Sequence, residues 1–154
     1  MKPYDPAAGV VEAGAVHKVI LLVDDETALR ELGSRFLQRE GYRALTAASG
    51  EEALVLFDEA GDSVGLVVLD LHMPGMGGEA CLCALRERSR RLPVIVATGQ
   101  GEGVEVAAMT AHGVQAVIHK PFQLIELLRT VRRVFEQSSA GREHRIIGDQ
   151  RRPG

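Results

Sequence analysis

Apolar positions along the chain fall into five short blocks, separated by stretches of helical period. Lys18–Val23 (KVILLV) is a continuous apolar run of the kind a buried parallel strand requires. Thr27–Arg39 then places Leu29, Leu32 and Phe36 at helical spacing. Arg43–Ala47 predicts a second, weaker strand, entered through Gly41. Glu51–Glu59 predicts a helix with Ser49 as its N-cap, because a serine oxygen accepts a free first-turn N–H. Leu66–Leu69 is the third strand. Met73–Gly78, with one proline and three glycines, predicts a loop. Glu79–Arg88 is a helix, Pro93–Ala97 the fourth strand and Gly99–Gly103 a flexible loop. Val104–Ala111 is a short helix closed by Gly113, and Val114–Ile118 is the fifth strand. The last helix is Phe122–Phe135, where Leu124, Leu127, Leu128, Val131 and Val134 form one stripe.

Regular alternation with buried strands predicts an α/β fold, a doubly wound five-stranded parallel sheet covered by five helices. Such sheets bind ligands outside the carboxyl ends of their strands, at a topological switch point. Asp24 and Asp25 follow the first predicted strand, Asp70 the third, Thr98 the fourth and Lys120 the fifth. A solvated edge also needs polar residues, but these converge from four strand ends. Clustered carboxylates repel each other and raise their own pKa values unless a cation joins them. The set predicts a Mg²⁺ holder that handles phosphate, with the lysine as a fixed counter-charge.

Composition narrows the setting. The chain has 154 residues, of which 45% are hydrophobic and 25% charged, ordinary for one soluble domain. A net charge of −3 gives no argument for nucleic-acid binding. Residues 1–16, rich in Ala, Gly, Pro and Val, predict a leader or linker. Residues 137–154 are polar and predict a loose tail, which leaves 17–136 as the folded unit. No apolar run approaches the roughly 20 residues needed to span a bilayer, and the N-terminal stretch lacks the charged n-region and long apolar h-region of a signal peptide. The expectation is therefore no membrane contact and a cytoplasmic location. Cys81 and Cys83 are two apart in a helical stretch, which puts them on different faces and predicts no disulfide.

The pattern resembles the receiver domain of two-component response regulators, a flavodoxin-like fold. The resemblance covers about 17–136 and rests on four motifs: LLVDDE at 21–26, VVLDLHMPGMGG at 67–78, VIVATG at 94–99 and HKPF at 119–122. It implies a regulatory switch, with no catalytic activity beyond its own phosphoryl transfer and slow dephosphorylation. Asp70 would be the phosphoacceptor, served by a histidine kinase or a phosphotransfer protein. Asp25 would bind Mg²⁺ directly and Asp24 mainly through water, with Asp70 and the backbone carbonyl of His72 as further ligands. Lys120 would pair with one phosphoryl oxygen and Thr98 would hydrogen-bond another. Gly99 would leave room for a donor or a water. The Lys120–Pro121 bond would be cis. His72 and Gln100 are expected to tune hydrolysis of the acyl phosphate. His112, His119, Met73 and Met76 are expected to flank or pack.

One position departs from the pattern. Many receivers carry an aromatic residue three positions before the lysine, as a rotamer switch. Here that position is Val117, which is small and stiff at χ1. Gly99, Gly101 and Gly103 point to mobility near the 104–111 stretch instead. The chain is expected to be either a stand-alone regulator, since the stretch after 136 is too short for an effector domain, or the C-terminal receiver of a hybrid sensor kinase. Homodimer formation is left open.

Two other classes compete. A Mg²⁺-dependent phosphatase of the haloacid dehalogenase type also uses a strand-end aspartate, in an Asp-x-Asp-x-Thr motif. Asp24-Asp25-Glu26-Thr27 does not have that spacing, and there is no cap domain. A flavin-binding redox module needs a Ser/Thr-rich phosphate loop and stacking aromatics. Aromatic content is 4% and the loop after the first strand is acidic, so anionic FMN would be repelled.

Overall fold

A computed structural model describes residues 19–99 and 110–149. Five parallel strands, β1 (Val19–Val23), β2 (Arg43–Ala47), β3 (Val64–Asp70), β4 (Val94–Thr98) and β5 (Ala116–His119), form one sheet in the order β2-β1-β3-β4-β5. From β1 the chain moves outward to β2, then crosses back to β3 on the other side. The order thus reverses beside β1, and the crevice lies between the carboxyl ends of β1 and β3. Their register sets Val23 against Leu69, so Asp24 and Asp70 leave the sheet side by side.

The helices among the described residues are α1 (Thr27–Arg39), α2 (Gly50–Ala60), α3 (Gly78–Arg88) and α4 (Leu124–Asp149), with a 3-10 turn at Gly61–Ser63. They cover the sheet on two faces. Leu21, Val23, Val67 and Leu69 point to one apolar layer with Phe57, Leu82 and Leu85. Ile20, Leu22, Leu66 and Val68 point to the other, with Leu37, Leu127, Val131 and Val134. The continuous apolar runs of β1 and β3 are explained by this, since alternate residues serve opposite cores. Ser49 caps α2: its Oγ accepts from the Glu52 N–H at 3.1 Å, and the Glu52 carboxylate accepts from the Ala48 N–H at 2.9 Å.

Two details of the sequence pattern shift. On α1 the buried residues are Gly33 and Leu37, Leu29 and Phe36 are half-buried, and Leu32 is exposed. Gly33 explains the rotation, because a Cβ there would meet Leu22 Cδ2 at 2.9 Å and the helix closes onto β1 through it. The last helix continues to Asp149, where a loose tail is expected. Its core stripe runs as far as Val134, and no proline stands between there and Pro153 to break the helix. Of the predicted helix Val104–Ala111, only Thr110 and Ala111 are described, and both are helical. The rest of it lies outside the described residues, as do 1–18, Gln100, Gly101, Gly103 and 150–154. Among the described residues no helix is long and apolar enough to cross a membrane.

Candidate functional site

Asp24 follows β1 and is 1% exposed. Its N–H donates to the Ala47 carbonyl at 3.1 Å, which extends the β1–β2 ladder by one residue. Its Oδ1 accepts from the Glu26 N–H at 2.9 Å. This side-chain turn bends the chain into α1 and leaves Asp25 exposed at the rim. Arg30, on α1, donates to the Asp24 carbonyl at 2.7 Å and to Thr27 Oγ1 at 3.3 Å, which fixes the turn from the helix side. Asp70 ends β3 and is 3% exposed. Its Oδ1 accepts from the His72 N–H at 3.1 Å. Carboxylate oxygens of Asp24, Asp25 and Asp70 all lie within 4.8 Å of one another.

Lys120 comes from the opposite side, after β5. Its Nζ donates to Asp24 Oδ2 at 2.8 Å and to Asp70 Oδ2 at 3.2 Å, and stands 3.6 Å from Glu26 Oε1. Its backbone N–H donates to the Thr98 carbonyl at 2.7 Å, which ties the lysine to the end of β4. The Lys120–Pro121 bond is cis. Burial and the Asp24 charge push the Asp70 carboxyl up to about 6, against the pull of the His72 N–H and Lys120. Burial acts to lower the Lys120 pKa, but Asp24 and Asp70 outweigh it and hold the ammonium above its usual range.

Three carboxylates and one ammonium carry a formal charge of about −2 when all are ionised, which a divalent cation balances. All the side-chain donors are hard oxygens, so the cluster can hold a metal ion, and its chemistry suits a hard one.

The remaining predicted residues are arranged around this centre. Thr98 is fully buried at the end of β4, and its Oγ1 donates to the Gly99 carbonyl at 3.4 Å. Gly99 is half-buried and His72 exposed on the loop after Asp70. Val117 is half-buried in β5, in register with Val96. Met73 is buried in the core, a packing residue as expected. Both cysteines are free, Cys81 buried and Cys83 half-buried.

Sequence reasoning missed Gly78. A Cβ on Gly78 would meet the Asp70 carbonyl oxygen and Leu71 Cα, each at 2.6 Å. The start of α3 therefore presses against the peptide of Asp70, and any side chain there displaces it. A Cβ on Gly77 would meet nothing within 4 Å, so the Gly-Gly pair alone does not say which member is constrained. Arg30 and Glu26 were also missed; at the start of a helix, a charged residue carries no distinguishing signal.

A parallel sheet with three clustered carboxylates at its switch point and a lysine bound to two of them defines a doubly wound α/β domain with a candidate cation site. The profile of the response regulator receiver domain matches residues 20–132, and the chain belongs to that family. Receiver domains are the regulatory parts of two-component systems, and phosphoryl acceptance is the family role. The chain is similar to the sensor kinase CckA of Brucella abortus (38% identity over 118 residues, 77% of this chain and 12% of the kinase). It is similar to the transcriptional regulatory protein CpxR of Escherichia coli (36% over 119 residues, 77% of this chain and 50% of the regulator). The chain thus spans half or less of the length of these relatives. Among solved structures it resembles the chemotaxis protein CheY4 of Vibrio cholerae, with a TM-score of 0.70, 31% identity, and coverage of 75% of this chain and 97% of that one. A response regulator receiver domain protein from Clostridium thermocellum matches with a TM-score of 0.75 and 25% identity, over 79% of this chain and 97% of that one.

Proposed function

We infer that this chain is a phosphorylation-dependent switch in which Asp70 accepts a phosphoryl group from a histidine kinase or a phosphotransfer protein. The observation that carries the reading is the sharing of Lys120 between buried Asp24 and buried Asp70, at 2.8 and 3.2 Å. An Asp70 oxygen attacks phosphorus and the P–N bond of the donor phosphohistidine breaks. The bonding pair returns to the imidazole, which leaves after taking a proton from solvent. Positioning and charge neutralisation carry most of such a step.

Bound Mg²⁺ supplies the positive charge that lets a phosphoryl group sit among carboxylates. Asp25 would hold it directly, Asp24 mainly through water, with Asp70 and the His72 carbonyl as the other protein ligands. Lys120 turns its ammonium from Asp70 to a phosphoryl oxygen. Thr98 donates its hydroxyl to another, and Gly99 leaves space beside it. His72 and Gln100 tune how fast water reaches the acyl phosphate. Val117 cannot act as an aromatic rotamer switch, so the signal leaves the site by another route. The switching unit is 17–136, with 1–16 and 137–154 outside its core, acting in the cytoplasm. Similarity to a sensor kinase and to a transcriptional regulator supports both settings, the end of a hybrid kinase and a separate regulator.

Incubation with acetyl phosphate and Mg²⁺ tests the reading. Intact mass should show one added phosphoryl group, labile to hydroxylamine, and absent in Asp70→Asn or after chelation. No gain in a folded protein would overturn the reading. Turnover of phosphate esters would restore the phosphatase class.

A further inference from the structure

The loop that carries His72 is held from outside by a residue to which the reaction scheme gives no role. Residues 71–77 leave β3 and enter α3. The two ends of the loop are tied by the Gly78 N–H, which donates to the Leu71 carbonyl at 3.1 Å. Its near side is anchored by buried Met73. Its far side is held by Glu51, on the first turn of α2, whose Oε1 accepts from the Met76 N–H at 2.9 Å.

The loop is shaped around this carboxylate. Gly75 adopts φ +78°, which favours glycine, and a Cβ there would meet Glu51 Oε1 at 3.2 Å. Beside Glu51, a Cβ on Gly50 would meet Met76 Sδ at 3.1 Å and Cys81 Cβ at 3.2 Å, so α2 and the loop close tightly. The Glu51 carboxylate also accepts from its own N–H, which together with the Met76 N–H holds it below the usual carboxylate range. Hydrogen bonds with an ionised partner are the stronger kind, and they fix orientation as well as contact.

The geometry points to Glu51 as a positioning residue for phosphoryl acceptance, acting on loop 71–77 through the Met76 N–H. The loop sets where the His72 peptide stands. That peptide already meets the acceptor, since its N–H donates to Asp70 Oδ1 at 3.1 Å, and its carbonyl is the ligand assigned above. The inference rests on Asp70 as the acceptor.

The test compares wild type with Glu51→Ala, Glu51→Gln and Glu52→Ala. Glu52→Ala removes the neighbouring cap contact on the same helix and leaves Glu51 intact. Two readouts are taken: amide hydrogen exchange at Met76 without metal, and the rate of phosphorylation by acetyl phosphate as Mg²⁺ is varied. Losing the charged acceptor should speed Met76 exchange, and raise the half-saturating Mg²⁺ concentration, by about five- to tenfold in Glu51→Ala. The rate at saturating Mg²⁺ should change much less. Glu51→Gln keeps an acceptor oxygen and should restore most of both. Glu52→Ala should leave Met76 exchange at the wild-type rate. Wild-type exchange and Mg²⁺ dependence in Glu51→Ala would overturn the inference. So would fast exchange with unchanged Mg²⁺ dependence, or a Gln variant as impaired as the Ala variant. A wild-type protein that takes no phosphoryl group would instead overturn Asp70 as acceptor, a failure visible before any variant is compared.

Discussion

The two ends of the sheet handle polar groups in opposite ways. At the amino ends of β4 and β5, one arginine satisfies the chain. Arg86 donates to the carbonyls of His112 at 2.8 Å, Leu92 at 2.6 Å, Gly113 at 3.0 Å and Ser89 at 3.4 Å. Gln115 closes the same corner by accepting from the Val94 N–H at 2.7 Å. At the carboxyl ends of β1 and β3, three carboxylates share a small space with one ammonium. The first arrangement matches donors to acceptors and stabilises the fold. The second leaves negative charge in excess, the pattern expected of a binding site and not of a structural corner. Sites of this kind hold repulsion in reserve until their ligand arrives.

The largest effect is expected at the stabilising end. Arg86→Ala leaves four carbonyls, three of them at least partly buried, to find water and should cost about 2–3 kcal/mol in urea unfolding. Arg86→Lys should recover only part, because an ammonium cannot reproduce the guanidinium fork. A loss below about 0.5 kcal/mol would show that the corner holds without its arginine.

The opposite sign is expected at the other end. Asp70→Asn removes one of the crowded charges and should stabilise the metal-free protein at pH 7.5 by about 1–3 kcal/mol. The sign follows from linkage. The folded Asp70 carboxyl titrates near 6, above its value in the unfolded chain. Its contribution to stability is therefore full below the ordinary carboxylate range and is lost as pH rises through 6. Wild type should lose stability between about pH 4 and pH 7, and Asp70→Asn should lose less over the same range. A destabilised Asn variant at pH 7.5 would contradict the picture of stored repulsion.

A subtler comparison lies within one dipeptide. Gly78→Ala drives a methyl into the Asp70 and Leu71 backbone and should cost about 1–3 kcal/mol while slowing phosphoryl acceptance. Gly77→Ala meets nothing and should stay within about 0.5 kcal/mol. Equal effects of the two changes would show that the close approach at Gly78 does not constrain Asp70.

Much of this contrast was legible in the sequence, for physical reasons that differ by element. Strands buried on both faces must be apolar throughout, so KVILLV and LVVL announced β1 and β3. The carboxyl-edge rule then placed Asp24, Asp25, Asp70, Thr98 and Lys120 before any geometry was known. What stayed hidden depends on approach in three dimensions. Gly78 and Gly77 are the same letter, and only the neighbouring backbone separates them. Glu51 and Glu52 are adjacent acids, yet one caps its helix and the other holds a loop after β3. Arg86 looks like any surface arginine at the end of a helix. Helix limits were missed where no apolar stripe marks them, as in α4 beyond Val134.

The central claim concerns one carboxylate among three, and chemical trapping distinguishes them. Protein treated with acetyl phosphate and Mg²⁺ is reduced with borohydride, which converts an aspartyl phosphate to homoserine, and the peptides are sequenced. The account predicts homoserine at position 70 and aspartate intact at 24 and 25. Homoserine at 24 or 25, or at none of the three, would contradict it.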